Sequence, residues 1–93
     1  MKYSYSKIKD LKLREQRGIS FEEIISHIEK GLVLKVLAHT NQEKYSKQEI
    51  MLVNVKDYVW VVPCEQKGDE LHLKTAYKSR KYTKIYLGRD VNG

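Results

Sequence analysis

The sequence predicts an α+β fold in which two N-terminal helices pack on one face of a four-stranded antiparallel sheet and a short C-terminal helix follows. Two helical patterns come first, four β-rich runs then follow one another through short connections, and a capped helical segment comes last. A chain of 93 residues has room for one hydrophobic core. We therefore expect a single domain over residues 1–93.

The second predicted helix, residues 20–30, has the most complete sequence pattern. It opens with a capping box, in which the side chains of Ser20 and Glu23 each accept a hydrogen bond from the other residue's backbone N–H. Apolar residues then recur at helical spacing. Gly31 suits the left-handed conformation that follows a last helical turn.

Two further helices are predicted from a polar cap at one end and a glycine at the other. The first follows a short extended segment at Tyr3 and either of two candidate N-caps, and the last follows the final strand. They cover residues 5–17, between Ser4 or Ser6 and Gly18, and residues 80–87, between Ser79 and Gly88.

The predicted strands lie between the second and third helices, at 32–37, 49–55, 58–62 and 70–77. Lys56 and Asp57 separate the two middle strands, which is the length of a two-residue hairpin turn. Pro63 is predicted to end the third strand, and residues 42–48 are predicted to form a polar loop.

The last predicted strand alternates along its length and therefore presents two faces. Because both N-terminal helices are expected on one side of the sheet, the other side is expected to remain open to solvent. The two faces carry Leu71, Leu73, Thr75 and Tyr77 on one side, and Glu70, His72, Lys74 and Ala76 on the other, open side.

Positive charge is concentrated at the two ends of the chain. Residues 1–17 carry six basic and two acidic side chains, residues 18–71 carry six and nine, and residues 72–93 carry six and one, giving a net charge of +6. If the fold brings the ends together, they form a basic patch that attracts polyanions. The competing interpretation is that these cations only solvate a small surface.

Composition and motifs exclude several classes of site. The three histidines and Cys64 share no metal-ligand spacing, so no metal site is predicted. Glycine-rich phosphate loops are absent, so we expect no cofactor. No apolar stretch approaches the ~20 residues that span a bilayer, and a single cysteine suits a reducing compartment. We therefore expect a cytoplasmic protein without a membrane partner.

Residues 73–86 combine five cations with three tyrosines across the last strand and the last helix. Cations bind phosphates and aromatic rings stack on bases, so this composition is typical of an RNA-binding surface. Arg80 and Lys84 lie four residues apart on one helical face, where a bound anion would relieve their mutual repulsion. In the competing interpretation the apolar side chains pack in the core and the cations are only solvated.

Short motifs along nearly the whole chain form an ordered set: residues 17–23, the strand pair ending at Val61-Val62-Pro63, and Lys74-Thr75 followed by Ser79-Arg80-Lys81, Lys84 and Tyr86-Leu87-Gly88. This set resembles BrnT-type toxins, which belong to the RelE/ParE-like group of bacterial type II toxin–antitoxin systems. The resemblance implies a RelE-like sheet with helices on one side, an RNA-cleaving surface and a tight complex with a DNA-binding antitoxin. It places the family's basic motif on Arg80 and Lys81, and a later basic position on Lys84.

The leading hypothesis is a metal-independent endoribonuclease toxin, whose reaction needs a base, an acid and cations around the scissile phosphate. Arg80 suits the phosphate clamp because its planar fork binds two oxygens. Lys74, expected near Arg80 and Lys84, is one candidate base, and His72 is the alternative proton carrier. The remaining predicted residues are Lys84 and Tyr86 in the catalytic set, with Tyr82 as an alternative to Tyr86, and Lys78, Ser79, Lys81 and Tyr82 in RNA binding.

Two other functions remain open from the sequence. One is inhibition of DNA gyrase, as ParE-type toxins are thought to do, and the other is non-catalytic binding of nucleic acid by the same surface. The partners expected under the leading hypothesis are an RNA substrate and a cognate antitoxin. The antitoxin is expected to cover the basic surface with a segment rich in acidic and apolar residues.

Overall fold

The computed structural model describes residues 1–38 and 48–88, so His39 and nearly all of the predicted 42–48 loop lie outside the described residues. None of the described helices is both long and apolar enough to cross a membrane. The described elements are, in chain order, β1 (Lys2–Ser4), α1 (Lys7–Arg17), α2 (Phe21–Glu29), β2 (Val33–Ala38), β3 (Gln48–Val55), β4 (Tyr58–Lys67), β5 (Glu70–Leu73), β6 (Tyr77–Lys78) and α3 (Arg80–Leu87).

The three helices begin and end at the capping residues that the sequence predicts. The N-caps Ser6, Ser20 and Ser79 each accept a hydrogen bond from the backbone N–H three residues later. Gly18 and Gly88 end α1 and α3 in the left-handed conformation. The three predicted helices are thus confirmed, and of the two candidate N-caps for α1 the structure uses the second.

A buried carboxylate ties α1 to the start of α2. Asp10 accepts the Phe21 backbone N–H at 2.8 Å, and its second oxygen pairs with Arg14 Nε at 3.0 Å. The Phe21 ring stacks on Tyr5 with 5.0 Å between the ring centroids. These contacts fix the first half of α1 against α2, and a hydrogen bond from Arg17 to the Ala76 carbonyl holds its C-terminal end.

The sheet is larger than predicted and contains a parallel pair. Its strand order is β1-β5-β4-β3-β2, and β6 pairs with the first half of β4. β1 runs parallel to β5, whereas the other pairs are antiparallel. The predicted four-stranded antiparallel sheet is therefore wrong. Segments of two or three residues such as β1 and β6 are too short to show an alternating pattern, and their partners lie far away in the chain.

Helices cover both faces of the sheet, so the prediction that one face stays open is also wrong. β4 is buried at every position from Val59 to Val62, which is typical of a strand covered on both sides. Alternate residues therefore enter two cores. Met51, Val53, Trp60 and Val62 pack with residues of α1 and α2, whereas Leu52, Val59 and Val61 pack with Tyr82 and Leu87 of α3.

The strand predicted over residues 70–77 is interrupted. β5 ends at Leu73, the chain leaves the ladder over residues 74–76, and β6 begins at Tyr77. As a result, Ala76 is fully buried in the core with Leu73 rather than lying on the face that carries His72. The regular alternation expected from the sequence is therefore wrong beyond Leu73.

Pro63 does not end a strand, since β4 continues through it to Lys67. The Pro63 carbonyl accepts the Lys74 backbone N–H at 2.8 Å, so the side of Pro63 that lacks an N–H donor faces the gap between β5 and β6. No ladder hydrogen bond is lost there, which explains why a proline is tolerated within β4.

Lys56 and Asp57 form the predicted two-residue turn. Both have positive φ angles, 54° and 64°, as a type I′ hairpin turn requires. The Asn54 side chain stabilises the turn by accepting the Asp57 backbone N–H at 3.0 Å.

Candidate nucleic-acid interface

Three hydrogen bonds around Val59 fix the first turn of α3 to the edge of β4. Ser79 donates its N–H to the Val59 carbonyl at 2.9 Å, and Val59 donates its own N–H to Thr83 Oγ1 at 2.9 Å. The Thr83 hydroxyl in turn donates to the Ser79 carbonyl at 2.6 Å. Arg80 therefore lies in a helical turn that is held to Val59 through both Ser79 and Thr83.

Arg80, Lys81 and Lys84 form what we call the α3 basic surface, and all three are exposed. Among the described residues, none of the three lies within ion-pair distance of a carboxylate. Arg80 and Lys81 lie close to the positive end of the α3 helix dipole. The first turn of α3 contains no acidic residue to offset this unfavourable interaction. An anion bound at this turn would relieve the repulsion among the three cations and their unfavourable interaction with the helix dipole.

Aromatic rings lie beside the cations of this region. Lys78 Nζ lies 5.2 Å from the Tyr58 ring centroid and 5.8 Å from that of Trp60. On α3, Tyr82 is half-buried against the sheet, whereas the neighbouring Tyr86 is 37% exposed. Tyr86 is thus the more available of the two α3 rings for stacking on a base, and Tyr82 contributes mainly to packing.

The fold brings the two basic ends of the chain together. β1 pairs with β5, and the Arg17 guanidinium donates to the Ala76 carbonyl at 2.8 Å. The cations of α1 therefore lie next to the segment that leads into α3. The two ends of the chain thus meet at the β5–β6 edge, while α1 and the α3 basic surface lie on opposite faces of the sheet.

The structure places Lys78, Ser79, Arg80 and Lys81 together at the β6–α3 junction. The Ser79 hydroxyl caps α3 by accepting the Tyr82 backbone N–H at 3.1 Å, so its contribution to an RNA site is to position the helix. Lys84 lies one turn beyond Arg80 on the α3 basic surface, and Tyr86 lies near the C-terminal end of the helix.

His72 lies away from this junction. Its Nδ1 is 2.9 Å from the Ser4 hydroxyl, and in the sheet it faces Glu65 of β4. Ser79, which directly precedes Arg80, is bonded to Val59 of β4. Val59 lies six residues before Glu65, so the positions of His72 and Ser79 are separated by ~20 Å along β4. His72 and Arg80 therefore do not converge on one phosphate.

Lys74 lies between these positions. Its backbone N–H is bonded to Pro63, four residues from Val59 on β4, or ~13 Å along the strand. Two long side chains on a lysine and an arginine at this separation are able to contact one bound oligonucleotide. Of the two predicted proton carriers, Lys74 is thus the nearer to Arg80.

The remaining reactive side chains are structural. Burial, with a smaller effect of the Glu49 carboxylate, raises the pKa of the Cys64 thiol to about 12, so Cys64 is unsuited to be a nucleophile. In residues 1–38 and 48–88, no three His, Cys, Asp or Glu side chains are grouped so as to hold a metal ion.

Sequence reasoning missed Arg17, Tyr58 and Trp60 as candidate site residues. The charge excess over residues 1–17 is a signal for the region, but it does not single out Arg17 from its neighbours. Arg17 is identified as a site residue by its hydrogen bond to Ala76, which lies 59 positions away in the chain.

Comparisons with protein-family models, with curated proteins and with solved structures find no match to this chain. The resemblance to BrnT-type toxins is carried by sequence motifs alone and stays a prediction.

Proposed function

We propose that this protein is the toxin of a type II toxin–antitoxin system and that it cleaves RNA without a metal ion. The observation that carries the RNA part of the proposal is the α3 basic surface, which lacks carboxylate partners among the described residues. Lys78, whose ammonium group lies near the Tyr58 and Trp60 rings, comes two residues before this surface in the chain. The toxin part of the proposal is supported by the motifs that resemble those of BrnT-type toxins.

In the proposed reaction the RNA 2′-hydroxyl attacks the adjacent phosphorus and the 5′-oxygen leaves. Arg80 binds two phosphate oxygens and stabilises the charge that develops on them, with Lys84 adding positive potential one turn away. Lys74, the nearer of the two candidate bases, removes the proton from the 2′-hydroxyl. Tyr86, the more exposed of the two α3 tyrosines, protonates the leaving oxygen or stacks on a base.

Replacing Arg80 tests this assignment. Arg80→Gln keeps a polar, hydrogen-bonding side chain but removes its charge, and we expect a loss of RNA cleavage of about 10²–10³-fold. Growth inhibition in cells should be lost with it. The matched control is Lys35→Gln, which removes an exposed cation from β2 at the far edge of the sheet.

Both variants should unfold in urea at the same midpoint as the wild-type protein, because neither side chain has a described packing or ion-pair role. Cleavage is measured on purified protein with EDTA present, so that a contaminating metal-dependent nuclease does not contribute. A folded Arg80→Gln variant that cleaves RNA at the wild-type rate contradicts the assignment.

The proposal includes a cognate antitoxin that covers the α3 basic surface. Ile85 is 60% exposed and Tyr86 lies beside it, so cations and apolar anchors are adjacent on one helix. A segment that alternates acidic and apolar residues complements this arrangement. Raising salt should slow its association several-fold with little effect on dissociation. Association that is insensitive to salt, or a complex in which Arg80 and Lys84 stay exposed, contradicts this partner.

A second candidate function is non-catalytic binding of nucleic acid by the same surface. It is favoured by the separation of His72 from Arg80, ~20 Å along β4, which leaves Lys74 as the nearer proton carrier. Incubation of RNA with the purified protein and EDTA distinguishes the two functions. RNA that is bound and stays intact supports this second function, and cleavage supports the first.

A further inference from the structure

A groove runs between α1 and β6 on the opposite face of the sheet from α3. It consists of three adjoining cavities of about 280, 420 and 260 Å³, and Arg17 lines all three. We call it the α1–β6 groove, and it is lined by Lys9, Lys12, Gln16, Arg17, Trp60 and Lys78.

The α1–β6 groove is strongly positive. Five cations line it, and within the part of the chain that the structure describes four of them, Lys9, Lys12, Arg17 and Lys78, lack a carboxylate within ion-pair distance. The one acidic residue that lines the groove, Glu23, is 3.4 Å from Lys56 and is thereby paired. A concave surface with cations of one sign concentrates polyanions.

One of these cations is already held in place. Arg17 donates one guanidinium N–H to the Ala76 carbonyl at 2.8 Å, and the guanidinium carries four further donors. Lys9 lies two turns earlier on α1, ~12 Å away along the helix axis. The cations therefore form a row along the groove rather than a single point of charge.

Aromatic side chains complete the groove. Trp60, 4% exposed, forms part of its floor beneath Lys78, and Tyr77, 42% exposed, lines its central cavity. An unpaired base can stack on the exposed Tyr77 ring while its phosphates contact the cations, which is how single strands are bound without sequence preference. Trp60 is buried beneath this site and reports on it without stacking. The exposed Ile85, a typical anchor for a protein partner, lies instead on α3.

The groove also leads to the α3 basic surface. Lys78 is on β6, an edge strand that pairs with β4, and Arg80 begins α3 two residues later. We propose that the α1–β6 groove binds the single-stranded RNA that flanks the phosphate held by Arg80. The choice of RNA over another single-stranded polynucleotide rests on the proposed function.

Trp60 provides a direct probe of this binding because it is the only tryptophan in the chain. A short 2′-O-methyl oligouridylate is titrated into the protein, residues 1–93, because the methyl group on the 2′-oxygen blocks cleavage. Trp60 fluorescence should change to saturation along with the polarisation of a labelled oligonucleotide. The test variant is Lys9→Gln with Lys12→Gln, which removes two groove cations, and the matched control is Lys30→Gln with Lys35→Gln, which removes two exposed cations elsewhere.

The size of the expected effect follows from counterion release. Each phosphate contact with a single strand contributes about 0.7 to the slope of log affinity against log salt, or about 5-fold in affinity near 0.1 M salt. The Lys9→Gln, Lys12→Gln variant should therefore bind about 25-fold more weakly, and its salt slope should fall by about 1.4. The control variant should lose less affinity than the test variant, and its salt slope should fall less.

Three results would overturn the groove proposal. The first is that the test variant binds the oligonucleotide with wild-type affinity. The second is that polarisation reports binding while Trp60 fluorescence does not change. The third is that Trp60 fluorescence changes with an acidic peptide but not with RNA. The outcome is separable from that of the proposed function. Groove binding without cleavage of unmodified RNA refutes only the endoribonuclease, whereas cleavage that is unaffected in the test variant, together with wild-type affinity, refutes only the groove.

Discussion

Cys64 shows how burial of one residue sets its chemistry. Its side chain is 1% exposed, and its thiol donates a hydrogen bond to the Glu49 carbonyl at 3.5 Å. Because burial raises the pKa of this thiol to about 12, the reactive thiolate is scarce in the folded protein. We expect no reaction with a thiol-specific chromogenic reagent near neutral pH, and rapid reaction once urea unfolds the chain. Reaction of the native protein at the rate of the unfolded chain contradicts this prediction.

The same residue predicts an alkaline loss of stability. The pKa of Cys64 rises from an ordinary value of 9.0 to about 12 on folding, so the unfolded state releases this proton first. The associated stability is fully present below pH ~9 and is lost as the pH rises towards ~12. Burial also raises the pKa of Tyr3 and Tyr5, so these two side chains contribute to the same loss of stability at alkaline pH. In Cys64→Ala, urea unfolding should show a shallower decline over this range, and an unchanged decline contradicts the prediction.

At the scale of elements, Thr83 determines how α3 docks on the sheet. It is fully buried, and its hydroxyl both accepts from the Val59 N–H and donates to the Ser79 carbonyl. Thr83→Val keeps the shape but leaves the Val59 donor unsatisfied, which should lower the free energy of unfolding by about 1–3 kcal/mol. Urea unfolding measures the loss, and hydrogen exchange at the Val59 amide should accelerate.

Thr83→Ser is the matched control for this element. It keeps the hydroxyl and removes only the methyl group, so it should preserve the Val59 amide's protection from exchange better than Thr83→Val does. If the two variants leave that amide equally protected, the hydroxyl does not anchor α3. The first turn of α3, and with it Arg80, would then be held by the Ser79–Val59 backbone hydrogen bond and by apolar packing.

At the scale of the whole molecule, the meeting of two basic segments creates a repulsion that salt should relieve. The segments carry net charges of +4 and +5, and the fold joins them at β1–β5 and at Arg17. Added salt shortens the Debye length to ~10 Å near 0.1 M, so we expect a gain in stability on the order of 1 kcal/mol from low to moderate salt. For a chain of this size this corresponds to a rise in Tm of about 4–8 °C.

Tripolyphosphate provides the control for this prediction. At equal ionic strength it should raise the Tm further than sodium chloride does, because it binds the converged cations of the folded state and not only screens them. A Tm that falls as salt increases would show that attractive ion pairs outweigh the repulsion. An equal effect of the two salts would show that no polyanion site has formed.

The sequence by itself determined the local structure of this protein. Ser20 and Ser79 cap helices by bonding backbone groups three residues away, and Gly88 ends α3 in a left-handed conformation. Lys56 and Asp57 form their turn with help from Asn54, also three residues from its partner. Such features are predictable because all of the interacting groups lie within one helical turn or one hairpin of each other.

The tertiary structure alone decided how these elements combine into a surface. Tyr3 pairs with Leu71 in a parallel ladder, and Arg17 contacts Ala76, so residues far apart in the chain define the sheet edge and the groove. The position of α3 on the second face likewise depends on Val59 being buried from both sides. A charge pattern places cations in the sequence but carries no information on which pairs will meet. That choice is made by long-range packing and hydrogen bonding, which separated His72 from Arg80 and joined the two basic ends.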